Sequence, residues 1–101
     1  MNQKQIQQMM KQAQKMQNDV KSLQEELAAT EYTETVGGGA VEIVMNGSKT
    51  VKSISIKEEV IDPEDKEMLE ELVMLAVNNV IAKIDAEADS KVGAITGGLP
   101  F

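Results

Sequence analysis

The sequence contains no cysteine, no histidine and no arginine, which leaves few routes to catalysis or metal binding. Without cysteine, disulfides and thiolate metal sites are excluded. Without histidine, the commonest general base and the commonest metal ligand are missing. No pair of carboxylates stands in a recognisable catalytic setting. The sequence therefore predicts a protein that is not an enzyme and that has no cofactor and no metal site.

Aromatic residues and long apolar runs are also scarce. Tyr32 and Phe101 are the only aromatic residues among 101, so the core has to consist of Leu, Ile, Val, Met and Ala. No apolar run approaches the roughly 20 residues that span a bilayer. The first ten residues lack the apolar stretch of a signal peptide. We therefore expect a cytoplasmic protein of one domain that does not insert into a membrane.

Acidic residues outnumber basic ones, but they are unevenly distributed along the chain. The net charge is −7, and all ten basic residues are lysine. Residues 1–57 hold seven lysines and six acids, whereas residues 58–101 hold three lysines and eleven acids. The first 18 residues contain three lysines and no acid. This asymmetry is compatible with a local basic surface on an acidic protein.

Residues 3–29 are predicted to form one long helix. Its apolar residues recur at alternating spacings of three and four, which is the a/d pattern of a helix that packs along one seam. The other positions are mainly Gln, Lys and Glu, which favour helix. The α1 seam, as we call it, is the candidate surface for packing between helical arms or dimer subunits, and consists of Ile6, Met9, Ala13, Met16, Val20, Leu23 and Leu27.

Three strands and a second helix are predicted to follow. Alternating apolar residues indicate strands at 31–36, 40–46 and 50–57, with turns at Gly37–Gly39 and at the hairpin signal Asn46-Gly47. Asp62 and Pro63 are typical of a helix start, and a broad apolar stripe predicts a helix over 63–90. The uncharged segment 92–101 is expected to be a flexible tail. The fold class is α+β, with the order α-β-β-β-α and an antiparallel meander.

The lengths of these elements favour a two-fold dimer. A helix of 26 residues is about 39 Å long, whereas a six-residue strand spans about 20 Å. Part of each long helix should therefore project beyond the sheet as an arm, and a projecting apolar seam needs a partner. A symmetric dimer is the commonest solution. The alternative is a monomer in which both helices cover the sheet.

Four stretches in order resemble the YbaB/EbfC family of bacterial nucleoid-associated proteins. They are MMKQAQKMQ at 9–17, GGGAVEIVMNGSKTVKSISI at 37–56, DKEMLEELVMLAVNNVIAKID at 65–85 and GGLPF at 97–101. The resemblance implies a single domain over residues 1–91 and a homodimer with helical arms that project like tweezers. It further implies binding to double-stranded DNA, a place in the nucleoid, a role in nucleoid organisation or gene regulation, and no cofactor.

Lysines on the first helix are the candidate contacts to DNA. At 100° per residue, Lys4, Lys11 and Lys15 fall on one stripe opposite the α1 seam, with Asn18 beside them. The functional interpretation is a phosphate-contacting surface, and the structural alternative is an ordinary solvated face. A different function, that of a helical-arm adaptor for a DNA recombination or replication factor, also remains open. The acidic run around 58–71 is interpreted as a helix cap and a solvated face, not as a metal site.

Overall fold

A computed structural model describes residues 2–96. Its first helix, α1, spans Gln3–Ala29 and is capped at both ends. The Gln5 backbone N–H donates to the Asn2 side chain at 2.8 Å, which satisfies an amide that the first turn leaves free. At the other end, the Thr30 N–H donates to the carbonyls of Glu26 and Leu27, and the chain then becomes extended.

Three antiparallel strands follow in the order β1-β2-β3. They are β1 at Glu31–Val36, β2 at Val41–Asn46 and β3 at Val51–Ile56. Alternate residues of β2 point into the core, and Val41, Ile43 and Met45 are almost completely buried. The predicted α+β class and the meander are confirmed. The predicted strand boundaries of 40–46 and 50–57 each begin one residue earlier than those of the structure, and the latter also ends one residue later.

The second helix, α2, spans Lys66–Thr96. It begins three residues later than predicted because Asp62 caps a separate turn, in which its side chain accepts from the Glu64 N–H at 2.9 Å. The side chain of Asp65 then accepts from the Met68 N–H at 3.3 Å in the first turn of α2. The prediction of a tail from residue 92 is wrong for 92–96, which continue the helix, and residues 97–101 lie outside the described part of the chain.

The core lies between α2 and two of the three strands. Ala76 and Val80 of α2 are fully buried over β1 and β2. Two contacts fix the orientation of the helix: Lys83 lies 3.5 Å from Glu34 of β1, and Asp85 lies 2.9 Å from Lys49 in the β2–β3 turn. One flank of α2 therefore faces the β1 side of the sheet and the other faces the β3 side.

Beyond the sheet, α1 and the second half of α2 continue as an antiparallel helical arm. Val92 and Ile95 pack against the core that Leu23 and Leu27 of α1 complete. Burial raises the pKa of the Tyr32 hydroxyl at the base of this arm, and the nearby Glu87 carboxylate raises it further. The chain has a longest extent of 74 Å and a radius of gyration of 20.4 Å, against about 13 Å for a compact domain of this length.

Candidate nucleic-acid interface

The far end of the arm consists of α1 without α2. A shallow surface depression is lined by Ile95 of α2 and by Gln12, Lys15, Met16 and Asp19 of α1. The last described turn of α2 therefore lies beside the middle of α1. Residues 2–11 of the chain extend beyond this last described turn of α2, and we call them the α1 tip. Every residue from Asn2 to Lys15 is exposed.

The predicted DNA-contacting side chains lie on this end of α1. Lys4, Lys11, Lys15 and Asn18 are all exposed, and the helix over 3–29 places them on one stripe about 21 Å long. We call these four residues the lysine stripe. The three ammonium groups form no ion pair among residues 2–96, so they are open to an external anion. Asp19 lines the same depression as Lys15 and is the first acid along α1.

The α1 seam divides into three parts. Leu23 and Leu27 belong to the core of the chain itself, and Met16 and Val20 are half-buried. The remaining seam residues lie at or next to the α1 tip and are exposed in this chain, namely Ile6, Met9 and Ala13. Within the chain, the α1 seam is therefore buried only at the end of α1 that meets the sheet, and its packing against a second subunit stays a prediction.

Acidic residues concentrate at the start of α2, which is the end of that helix remote from the lysine stripe. Glu67, Glu70 and Glu71 lie in its first two turns, and Ile95 lies in its last. The 29 residues that separate Lys66 from Ile95 correspond to about 44 Å of helix. Because Ile95 lies beside Lys15, the molecule has a basic end and an acidic end.

The family assignment follows from comparison with known proteins. The model of the YbaB/EbfC DNA-binding family matches residues 1–99. The chain belongs to this family. A nucleoid-associated protein of Clostridium botulinum (strain Eklund 17B / Type B) is 50% identical over 92 residues, which are 91% of this chain and 81% of the relative. A nucleoid-associated protein of Chloroflexus aurantiacus (strain ATCC 29366) is 46% identical over 99 residues, or 98% and 96% of the two chains.

A solved structure supports the fold of this family member. An uncharacterized protein from Helicobacter pylori superposes with a TM-score of 0.69 and 23% sequence identity, covering 89% of this chain and 91% of the other. The family resemblance read from the four motifs is confirmed, as is the expected class of nucleoid-associated DNA-binding protein. Neither long helix, within the described residues, is apolar enough to cross a membrane.

Sequence reasoning missed an apolar surface on β3. Ile54 pairs with Ile43 and Val51 with Met45, so both point to the same side of the sheet as the core. They are nevertheless 46% and 48% exposed. The reason is width: a helix about 10 Å across covers two strands spaced about 4.8 Å apart, not three. The signal in the sequence was the number of elements. One helix, α2, has to cover three strands with alternating apolar residues, so the apolar row of one strand stays uncovered.

Residues 2–96 contain no group of three acidic side chains arranged to hold a metal ion. The acids that begin α2 are exposed and point to solvent, with Leu69 and Leu72 half-buried between them. The interpretation of the acidic run as a cap and a solvated face therefore agrees with its geometry.

Proposed function

We propose that this chain binds double-stranded DNA in the nucleoid as a two-fold dimer, with little preference for sequence, through the lysine stripe. The observation that carries the proposal is the composition of the end of the arm. Three exposed lysines lie on one face of α1, and no acid precedes Asp19. Membership of a DNA-binding family supports the choice of ligand.

The chemistry of the lysine stripe favours contact with phosphates over reading of bases. Lysine is a compact point charge that meets a phosphate oxygen from many directions. Base reading relies most often on the bidentate fork of arginine, which this sequence lacks. The N-terminal end of α1 also carries the positive pole of the helix dipole. These features support an interface that positions the protein on the duplex without selecting a sequence.

The net charge of −7 does not oppose this interface, because the excess acid is remote from it. The acidic start of α2 is about 40 Å along the helix from the lysine stripe. Exposed charges are screened over about 8 Å at physiological ionic strength. A duplex that contacts the α1 tip would therefore experience the local positive charge and little of the distant negative charge.

The dimer supplies more phosphate contacts than a single arm can make. Each neutralised phosphate contributes about 0.9 to the dependence of binding on salt, so three lysines make a weak, salt-sensitive contact. Two arms double the number of phosphates that one particle can neutralise. This requirement and the elongated shape of the chain both support the dimer.

Fluorescence anisotropy of a labelled duplex, at about 20 mM and 150 mM salt, tests the lysine stripe. We expect the triple variant Lys4→Gln, Lys11→Gln and Lys15→Gln to lose at least tenfold in affinity at the lower salt. The matched control replaces Lys57, Lys66 and Lys83 by Gln, which removes the same charge from positions outside the lysine stripe. The unaltered protein should bind duplexes of unrelated sequence with similar affinity. Equal losses in both triple variants, or no binding at 20 mM by a folded dimer, would refute the proposal.

A helical-arm adaptor for another DNA-metabolism protein is the second candidate function. The exposed apolar residues of the α1 tip favour it, since Ile6 and Met9 are 44% and 55% exposed. This function predicts binding of a recombination or replication factor that survives high salt and is lost on Met9→Gln. The lysine-to-glutamine variant would leave such binding unchanged, which separates the two functions.

A further inference from the structure

An apolar depression lies on the middle of α1, and we call it the arm groove. Its described lining residues all belong to that helix, namely Met16, Gln17, Val20, Lys21 and Gln24. Positions 16, 20 and 24 recur every fourth residue, as do 17 and 21, which places them all on one flank of α1. Met16 and Val20 form the half-buried apolar centre of the groove, and the other three side chains are exposed around it.

The end of α2 lies directly beside the arm groove. Ile95 shares the second depression with Met16, which also lines the arm groove, and α2 ends at Thr96. The residues that follow Thr96 in the sequence are therefore attached to the chain next to Met16. Val20 is a rise of about 6 Å further along α1. Because an extended residue spans up to about 3.5 Å, residues 97–101 are long enough to reach the whole apolar centre.

The sequence of residues 97–101, GGLPF, matches the chemistry of the arm groove. The segment carries no charged side chain. Glycines directly after a helix favour its termination and a change in chain direction. Pro100 favours extended backbone at Leu99, and alternate residues of an extended segment project to the same side. The pattern therefore predicts Leu99 and Phe101 on one side, about 6.6 Å apart, which is close to the rise from Met16 to Val20.

The arm groove is also large enough for an aromatic side chain. Its volume is about 240 Å³. An apolar cavity of about 150 Å³ accommodates a benzene molecule. The phenyl ring of Phe101 therefore fits over Met16 and Val20, with space left for Leu99.

We infer that the arm groove binds residues 97–101 of the same chain, with Leu99 and Phe101 over its apolar centre. A short tether gives the segment an effective concentration on the order of millimolar, so a contact of low intrinsic affinity is sufficient. At 100° per residue, Lys11 and Lys15 lie on the nearly opposite flank of α1. The bound segment therefore leaves the lysine stripe open, and the inference does not depend on DNA binding.

The absence of cysteine and tryptophan from the sequence allows a test with two unique probes. Phe101→Trp supplies the tryptophan, and Lys21→Cys supplies a thiol for a bimane label, whose fluorescence tryptophan quenches on contact. The matched control is Ser22→Cys, since Ser22 is exposed on the same turn but 100° further round α1. We expect Phe101→Trp to lower the fluorescence of the label at position 21 at least threefold and that at position 22 by less than a tenth. Circular dichroism checks that each labelled protein is folded.

Two further measurements locate the contact. Adding Leu99→Ser should remove at least half of the quenching at position 21, because one of the two apolar contacts is lost. Labelled chains that keep Phe101 are also unfolded and refolded together with unlabelled chains that carry Phe101→Trp. We expect no quenching in this mixture. Quenching there would place the segment on a second copy and overturn the inference, as would equal quenching at positions 21 and 22 or none at either.

Discussion

Gly47 is the residue at which the hairpin approaches α1 most closely. A Cβ built at this position would collide with the backbone carbonyl of Leu27, whereas one at Gly38 would meet nothing within 4 Å. The Gly47 N–H also donates to the Thr30 carbonyl at 3.1 Å, which holds the two segments together. We expect Gly47→Ala to destabilise the protein by about 3 kcal/mol or more, because backbone atoms must move apart.

Gly38→Ala is the matched control. An alanine at position 38 would have to adopt the φ of +68° that Gly38 has, which lowers the unfolding free energy by about 1 kcal/mol through the backbone conformation alone. Urea denaturation of the two variants at equal protein concentration measures the difference. Equal losses of unfolding free energy would show that turn conformation, not the close contact with α1, explains the glycine at position 47.

The same residue shows what a local pattern can and cannot predict. The Asn46-Gly47 pair correctly predicted a hairpin, but Gly47 does not provide the positive φ of this turn, since Lys49 does with a φ of 65°. The Asn46 side chain shapes the loop instead by accepting from the Ser48 and Thr50 amides. A contact with a helix that ends almost twenty residues earlier leaves no local signature in the sequence.

At the scale of the element, the α1 seam has one periodicity but two environments. Leu27 is 6% exposed in the core, whereas Met9 is 55% exposed near the other end of the same helix. We expect Leu27→Ala to cost about 2–4 kcal/mol, because it leaves a cavity between α1, β2 and α2. Met9→Ala should change the unfolding free energy by less than 0.5 kcal/mol. Urea titrations test this contrast, and similar losses for both would mean that the α1 tip is also packed in solution.

The periodicity of apolar residues predicted the helices and strands themselves better than it predicted where they end and which elements pack against each other. The strict three–four spacing identified α1 and its seam, and apolar alternation identified the three strands, because both patterns follow from backbone geometry alone. The start of α2 was predicted too early because Asp62 and Asp65 have similar capping chemistry, and only the structure shows which one begins the helix. Which stretch of the α1 seam is covered depends on where α2 ends. The uncharged, glycine-containing residues 92–96 were predicted to be a tail, which concealed the length of α2.

At the scale of the whole molecule, separation of charge accounts for an acidic protein in a DNA-binding family. The helical lengths alone predicted a projecting arm, and the chain is indeed 74 Å long. The lysine stripe could be found by helical geometry, whereas its distance from the acidic start of α2 depends on the antiparallel packing of the two helices. The uncovered apolar row of β3 was not predicted, because the alternation of β3 reveals an apolar face but not whether a helix covers it.

The proposed dimer and its lysine stripes together give a prediction for the salt dependence of DNA binding. If two arms contact one duplex, six lysines should give a slope of log K against log salt of about −5. A monomer, obtained by dilution below the dimer dissociation constant, presents one arm, and its slope should fall to about −3. Anisotropy titrations between about 20 and 200 mM salt measure both values, at protein concentrations above and below the dimer dissociation constant. Identical slopes for the monomer and the dimer would mean that only one arm of each dimer contacts the duplex.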